Sequence, residues 1–397
     1  MPKGPPVQRT GTHASGAARA ETPRAHDSKK SATNIGDDFI REGICHVLAE
    51  VFKGERLEFV SINKHKPYTV YPAWHPIHVI DVADRLPVGQ NFMRQSVGRL
   101  FSKIGLSCFD DCNLIVQCGA PVFWPNCSQN EWAQPLWHEV VGRLSQKVPV
   151  LNLAAGSCYP WEKQPTTIDP PEDIKYIQAI LGYCRLTTVR DKLSQTLCKS
   201  LGRDTPLIPC SAFLAARGRR AHITGSGYIL INYMTGGGHY SWEQGIDNGK
   251  WEETVKTLIA RLGKRHRLAL LCHDEQEFSL ARQLVPGLPV FFPKTQREYF
   301  DCVSEAKYAI CNRMHASVAM AGLGIPSIAI CTDTRLLMVS QIGLKTYYVK
   351  DTGADVLEDE IERAVNLLKT EQERLLGLQN ETWENYISII KETLSYK

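Results

Sequence analysis

Between Tyr308 and Cys331 the chain reads YAICNRMHASVAMAGLGIPSIAIC. An apolar run leads into a polar turn, a stretch of small residues follows, and a Gly-x-Pro break precedes a second apolar run. This is a strand–turn–helix–strand unit, and units of the same kind recur along the chain. In the first half the β-rich runs are LEFVSI (58–62 at its core), IHVID (77–81), LIVQCG (114–119), PVLNLA (149–154) and LTTVR (186–190), with helical patterns near 90–104, 129–146, 171–184 and 191–201. In the second half they are YILINY (228–233), RLALLC (267–272), PVFF (289–292), YAIC (308–311), PSIAIC (326–331) and TYYVK (346–350). Helical stretches near 251–262, 274–284, 295–306, 314–322 and 333–342 lie between them. Buried strands that alternate with helices imply parallel sheets covered on both faces. The expected fold is therefore α/β, with two Rossmann-like doubly wound domains facing a cleft.

Length supports two domains: 397 residues are enough for two cores. The boundary falls in the basic, Gly-rich stretch ARGRRAHITGSG (216–227), giving domains at 34–220 and 221–350 and a charged helical segment at 351–397. The first of these opens on a helix, with Phe39, Ile40, Ile44, Val47, Leu48 and Val51 on one face. Residues 1–33 are poor in large apolar residues and read as a disordered basic tail. They carry six of the 46 Lys/Arg and two of the 42 Asp/Glu, so the formal charge of +4 resides in them and the rest of the chain is balanced. A neutral body argues against a nucleic-acid surface.

The 13 cysteines are scattered, and many sit in apolar runs, as buried free thiols do in a reducing compartment. Cys108, Cys112, Cys118 and Cys127 lack the paired C-x2-C knuckle of a zinc site. The N-terminus has no apolar signal core, and the most apolar stretch, 316–331, is too short to cross a bilayer and is broken at Gly324–Pro326. The expected location is the cytoplasm, with any lipid-linked partner met at the membrane surface.

Four places could carry chemistry. In doubly wound sheets ligands bind beyond the carboxyl ends of strands, at helix N-termini. At the end of YAIC, Arg313 offers a planar fork to phosphate or carboxylate, and His315 on the first helical turn titrates near neutrality. The plainer reading makes Arg313 a surface ion-pair partner and His315 a capping residue. Arg190, at the end of LTTVR, points into the cleft or pairs with its neighbour Asp191, which also suits a helix N-cap. Asn34, Gly36, Asp37 and Asp38 open the first helix, as caps or as acceptors of sugar hydroxyls. Thr235-Gly236-Gly237-Gly238-His239 follows YILINY, and its glycines permit either close backbone approach to a ligand or a loose loop. Neither a dinucleotide fingerprint nor a P-loop is present.

The order NIGDDFI (34–40), LIVQCGA (114–120), TVRDKLSQTLCKSLG (188–202) and NRMHASVAMAGLGIPSIAI (312–330), followed by Asp333 and Arg335, resembles the polysaccharide pyruvyl transferases over residues 34 to about 350. The resemblance implies a GT-B-like pair of domains and transfer of a carboxyethylidene group from phosphoenolpyruvate to a sugar, usually as a cyclic ketal. It implies phosphoenolpyruvate as co-substrate, bound by Arg190 from the first domain and by Arg313, Met314 and His315 from the second. The reaction expected from these residues needs no cofactor or metal and uses His315 as the catalytic acid or base. The acceptor, a sugar or polysaccharide, lipid-linked or free, would lie on the first-domain side, with Asn34, Gly36, Asp37, Gly237 and Gly238 as candidate cleft residues. Two departures fall on that side: HDSKKSAT (26–33) does not read as the usual leading strand, and Cys118-Gly119-Ala120 stands where a triple glycine is expected. A GT-B nucleotide-sugar glycosyltransferase and a non-catalytic carbohydrate-binding relative are the alternative readings.

Overall fold

The computed structural model describes residues 35–62, 64, 66–76, 78, 107–130 and 132–395. The basic tail, Asn34, the expected helix at 90–104 and all of the 77–81 run except His78 lie outside the described residues.

The first sheet is built around β3 (Val150–Ser157). Strands β1 (Ile115–Cys118) and β2 (Pro121–Phe123) follow one another along one of its edges, and β4 (Leu186–Val189) takes the other, all parallel. Alternation along β3 sends Leu151 and Leu153 to one face and Val150 to the other, so the sheet is buried on both sides. Ala154 interrupts the pattern at φ 53°, where the β3–β4 register shifts. Left-handed backbone at a non-glycine residue is uncommon, and such bulges re-aim the strand beyond them. The expected strand at 58–62 is not one: Glu58 alone makes a bridge. β-rich composition alone does not make a strand, because strand propensity depends on the cross-strand context.

Helices α2 (Pro171–Tyr183) and α3 (Lys192–Ser200) cover one face of this sheet. As the sequence suggested, Asp191 caps α3, accepting from the Ser194 amide at 2.8 Å.

The second sheet holds six parallel strands: β5 (Tyr228–Asn232), β6 (Leu268–Leu271), β7 (Val290–Phe291), β8 (Ala306–Cys311), β9 (Ser327–Cys331) and β10 (Lys345–Tyr348). Their spatial order is β7-β6-β5-β8-β9-β10, which is the 3-2-1-4-5-6 order of a Rossmann fold. Large residues of the strands, Ile229, Ile231, Leu268, Leu270, Ile310, Ile328 and Ile330, face α4 (Asn248–Leu262) and α9 (Ala354–Val365). The opposite face is mostly small: Ala269, Ala309, Cys311, Ala329 and Cys331. There α6 (Gln296–Val303), α7 (Met314–Gly322) and α8 (Leu336–Ser340) lie on the sheet.

The chain's first and last helices join the two sheets. In α1 (Ile35–Val51), Phe39 and Ile40 pack with the second domain, Phe39 lying 4.7 Å from the Tyr299 ring. One turn later Ile44, Val47 and Leu48 pack on the first sheet with Leu151 and Leu153. The last helix, α10 (Leu368–Ser395), returns from the second domain and sets Tyr386 and Ile390 against the same face. Its Gln379 donates to the carbonyls of Phe213 and Gly322 at 2.9 and 2.7 Å. The small residues of α7 therefore serve two contacts, the sheet beneath and the turn Ser211–Leu214 above.

Gly43 is where α1 crosses that turn, and a Cβ there would overlap the carbonyl of Ser211. Backbone on both sides leaves no flexible atom to move. Gly43→Ala should lose about 3 kcal/mol of stability, read as a lower denaturant midpoint. An unchanged midpoint would mean α1 does not hold the domains together.

Candidate functional site

In the Rossmann sheet the chain order reverses between β5 and β8, and the crevice at such a point lies beyond the carboxyl ends of the strands. Asn232 ends β5 and Asn312 follows β8, and both are buried. Asn312 accepts from the Met234 amide at 2.9 Å and donates to the Ile330 carbonyl at 3.0 Å. Asn232 accepts from the Arg313 amide at 2.8 Å. The two side chains thus tie together the loops after β5, β8 and β9 and fix where α7 begins.

Arg313 does not stand free. Its Nε donates to Glu277 and its Nη2 to Asp274, on and just before α5 (Glu275–Leu284). Glu277 also accepts from Asn232 Nδ2 at 2.8 Å and from the His273 amide at 2.8 Å. Burial works to raise its carboxyl, but the hydrogen bond and charge of His273 and the charge of Arg313 outweigh burial and hold it at about 2. A depressed carboxyl stabilises the fold above its ordinary value of 4.5, and that contribution is lost as pH falls toward about 2. The shift is worth on the order of 3 kcal/mol. Glu277→Gln should destabilise the chain by ~2–3 kcal/mol and flatten its acid dependence in that window, as thermal unfolding against pH would show. A variant with wild-type acid dependence would remove Glu277 from this account.

The other side of the crevice supplies Arg190, which is wholly buried. Its Nη1 donates to the Gly119 carbonyl and lies 3.1 Å from His315 Nε2. Nε and Nη2 make no hydrogen bond within the described residues, and no carboxylate there pairs with it. Asp191, the partner a plain reading would give it, is spent on Ser157 and the α3 cap. Gly156, just past the bulge in β3, makes room: a Cβ on it would overlap Nε and lie 2.7 Å from Cζ.

Because a guanidinium only donates, His315 Nε2 accepts from Arg190, and the proton of the neutral ring sits on Nδ1. Burial pushes the imidazole well below its ordinary value of 6.5, and Arg190, Arg335, Lys64 and Arg313 add to the effect. Four cationic side chains from both domains thus act on one half-buried histidine. Arg313 is compensated by Asp274 and Glu277, and Arg335 by Asp333 at 2.8 and 2.6 Å. Lys64 lies 4.5 Å over the Trp132 ring.

The structure brings Arg190, Arg313 and His315 together. Met314 is buried in the core beneath α7. Gly36 is buried and Asp37 exposed at the start of α1, one turn before Ile40, which closes over Gly119. The glycines after β5 approach protein: a Cβ on Gly237 would overlap Val349, and one on Gly238 would lie 2.5 Å from Thr332 Oγ1. Gly237 is buried, so these glycines form a close backbone approach to Val349 and Thr332 and not a loose loop. Asn232, Asp274, Glu277 and Lys64 did not stand out in the sequence. Asn232 and Asp274 do carry a usable signal, since each lies at or within three residues of a strand's carboxyl end. Among the described residues no three His, Cys, Asp or Glu side chains converge as a metal site, and all thirteen cysteines are free.

A family model described as "Polysaccharide pyruvyl transferase" matches residues 34–333. No curated protein matches the sequence. Among solved structures, UDP-GlcNAc 2-epimerase from Neisseria meningitidis bound to UDP-GlcNAc has TM-score 0.53 at 12% identity, covering 92% of this chain and 98% of that one. The S. aureus MnaA–UDP structure has TM-score 0.51 at 11% identity, covering 91% and 94%. The accessory secretory protein 1, 2 and 3 structure from Streptococcus pneumoniae has TM-score 0.45 at 12% identity, covering 76% of this chain and 57% of that chain, so this chain spans little more than half its length. The first two show that the fold is GT-B-like, with two Rossmann-like domains.

Proposed function

The chain belongs to the polysaccharide pyruvyl transferase family, and we propose that it moves a carboxyethylidene group from phosphoenolpyruvate to hydroxyls of a sugar in a polysaccharide or its precursor. The observation that carries this reading is Arg190. A buried guanidinium with two donor atoms unpaired and no carboxylate beside it among the described residues is costly unless an anion joins it. Phosphoenolpyruvate brings a phosphate and a carboxylate, the groups a guanidinium fork binds best.

In the proposed reaction His315 gives a proton to the methylene carbon. Positive charge develops at C2 and an acceptor oxygen bonds there. The bond from C2 to the phosphate oxygen breaks, and a second hydroxyl closes the ketal. One hydroxyl proton restores His315 and the other leaves with phosphate, so the exchange balances. His315 is neutral in the free protein, and the incoming negative charge raises its proton affinity as the donor binds.

No helix among the described residues is long and apolar enough to cross a membrane, so a lipid-linked acceptor would be met at the bilayer surface. The test is phosphate release from phosphoenolpyruvate across a panel of sugar acceptors, beside calorimetry with phosphoenolpyruvate and with UDP-sugars. Donor-dependent release that requires an acceptor is expected. Tight UDP-sugar binding without phosphoenolpyruvate binding would overturn the reading in favour of a glycosyltransferase, and absence of release with every acceptor would favour a non-catalytic carbohydrate binder.

A further inference from the structure

The loop after β5 continues past its glycines into His239-Tyr240-Ser241-Trp242, and nothing above gives these rings a task. They form a strip. The His239 and Tyr240 ring centroids are 4.5 Å apart, and those of Tyr240 and Trp242 are 5.3 Å apart. Tyr240 is 36% exposed although its ring centroid lies 5.1 Å from the Arg335 guanidinium carbon.

The strip is held in place from both ends. Thr332 donates its hydroxyl to the Tyr240 carbonyl, and Gly238 rests on the same threonine. Beyond the strip, Gln244 is buried and donates to the Thr332 carbonyl at 2.8 Å, while its Oε1 accepts from the Glu162 amide of the first domain at 3.1 Å. Between these anchors Trp242 and Glu243 both take left-handed backbone, φ 55° and 54°. Two such non-glycine residues in succession cost energy and persist only where the surroundings over-determine them. Strain of this kind, spent to present aromatic rings beside a charged cluster, points to a ligand with both apolar and polar faces.

We propose that the Tyr240–Trp242 strip is the wall on which the acceptor's sugar ring stacks, with the ring's hydroxyls turned toward Arg335 and His239. This rests on the pyruvyl-transfer reading. The C–H face of a pyranose is apolar and slightly positive, which suits the negative face of an aromatic ring, while its hydroxyls need polar partners. His239 is lowered from its ordinary value by burial first and then by Arg335 and Arg313, so it is a neutral imidazole able to accept from a hydroxyl. The wall belongs to the second domain, so the acceptor lies against the same loops that hold the donor site.

The test uses the full chain with inorganic phosphate and a panel of methyl hexopyranosides, read by saturation-transfer NMR. At least one sugar should receive saturation on the C–H protons of one face. That signal should fall at least five-fold in Tyr240→Leu and in Trp242→Leu, which keep apolar bulk but remove the π face, and persist in Tyr240→Phe. A wild-type protein that saturates no panel member, or leucine variants that keep the signal, would overturn the wall. Phosphoenolpyruvate binding by the wild type, measured separately by calorimetry, keeps the two ideas apart. Donor binding with an undiminished sugar signal in the variants removes the wall alone, and no donor binding removes the pyruvyl reading.

Discussion

Arg190→Met should lose phosphoenolpyruvate binding and yet be at least as heat-stable as the parent chain. Both halves follow from one geometry. Arg190 is wholly buried, and within the described residues it bonds to the Gly119 carbonyl, to His315 Nε2 and, weakly, to Cys210 Sγ at 3.7 Å. A buried charge without a counter-charge costs several kcal/mol, whereas a lost hydrogen bond to a neutral carbonyl costs about 1 kcal/mol. Methionine fills a similar, slender volume over Gly156 without the charge. The free protein therefore gains or breaks even. The donor complex loses a desolvated, charge-assisted fork, worth roughly 3–5 kcal/mol, or on the order of a thousand-fold in Kd. Calorimetry and a thermal scan on the same preparation test both halves. Affinity within ten-fold of the parent would dismiss Arg190 as the anchor, and a large fall in midpoint would make it a structural residue instead.

His315→Gln should separate chemistry from binding. Glutamine keeps an oxygen that accepts from Arg190, so phosphoenolpyruvate affinity should stay within a few-fold. It offers no transferable proton, so turnover should fall by roughly 10²–10⁴. The pH behaviour adds a second reading. Folded His315 stays neutral well below 6.5, while the unfolded chain takes up a proton near that value. The unfolded state thus binds more protons below 6.5, and stability falls as pH drops through that region. The glutamine variant lacks this slope. On donor binding the added negative charge favours the imidazolium, so the wild type takes up a proton that the variant does not, which calorimetry in buffers of different ionisation heat resolves. Equal proton uptake by both proteins would exclude His315 as the group that responds to the donor.

Much of this could be read along the chain. Ten of the eleven β-rich runs that the sequence suggested are tested by described residues, and the one that failed, at 58–62, carries a single bridge at Glu58 and no strand. The strand ends that carry Arg190 and Arg313 were legible because parallel sheets concentrate ligands there. The small residues of α7 were legible as close packing, but not that they pack on the turn Ser211–Leu214 as well as on the sheet. Gly237 packs against Val349, which the sequence could not specify, because a glycine run reports close approach without saying what approaches.

The sequence by itself determined the alternation of strands and helices and the two turns that present arginine and histidine, because apolar periodicity and turn chemistry are local. Tertiary structure alone decided how those groups differ. Arg313 is saturated by acids 36 and 39 positions away, while Arg190 meets His315 across 125 positions and pairs with no acid among the described residues. Whether a charge is compensated depends on which distant side chains burial brings beside it, and no local pattern records that. The segment the sequence marked most clearly, Arg313 to His315, is therefore half of the site, and the bare charge that gives it a use comes from the other domain.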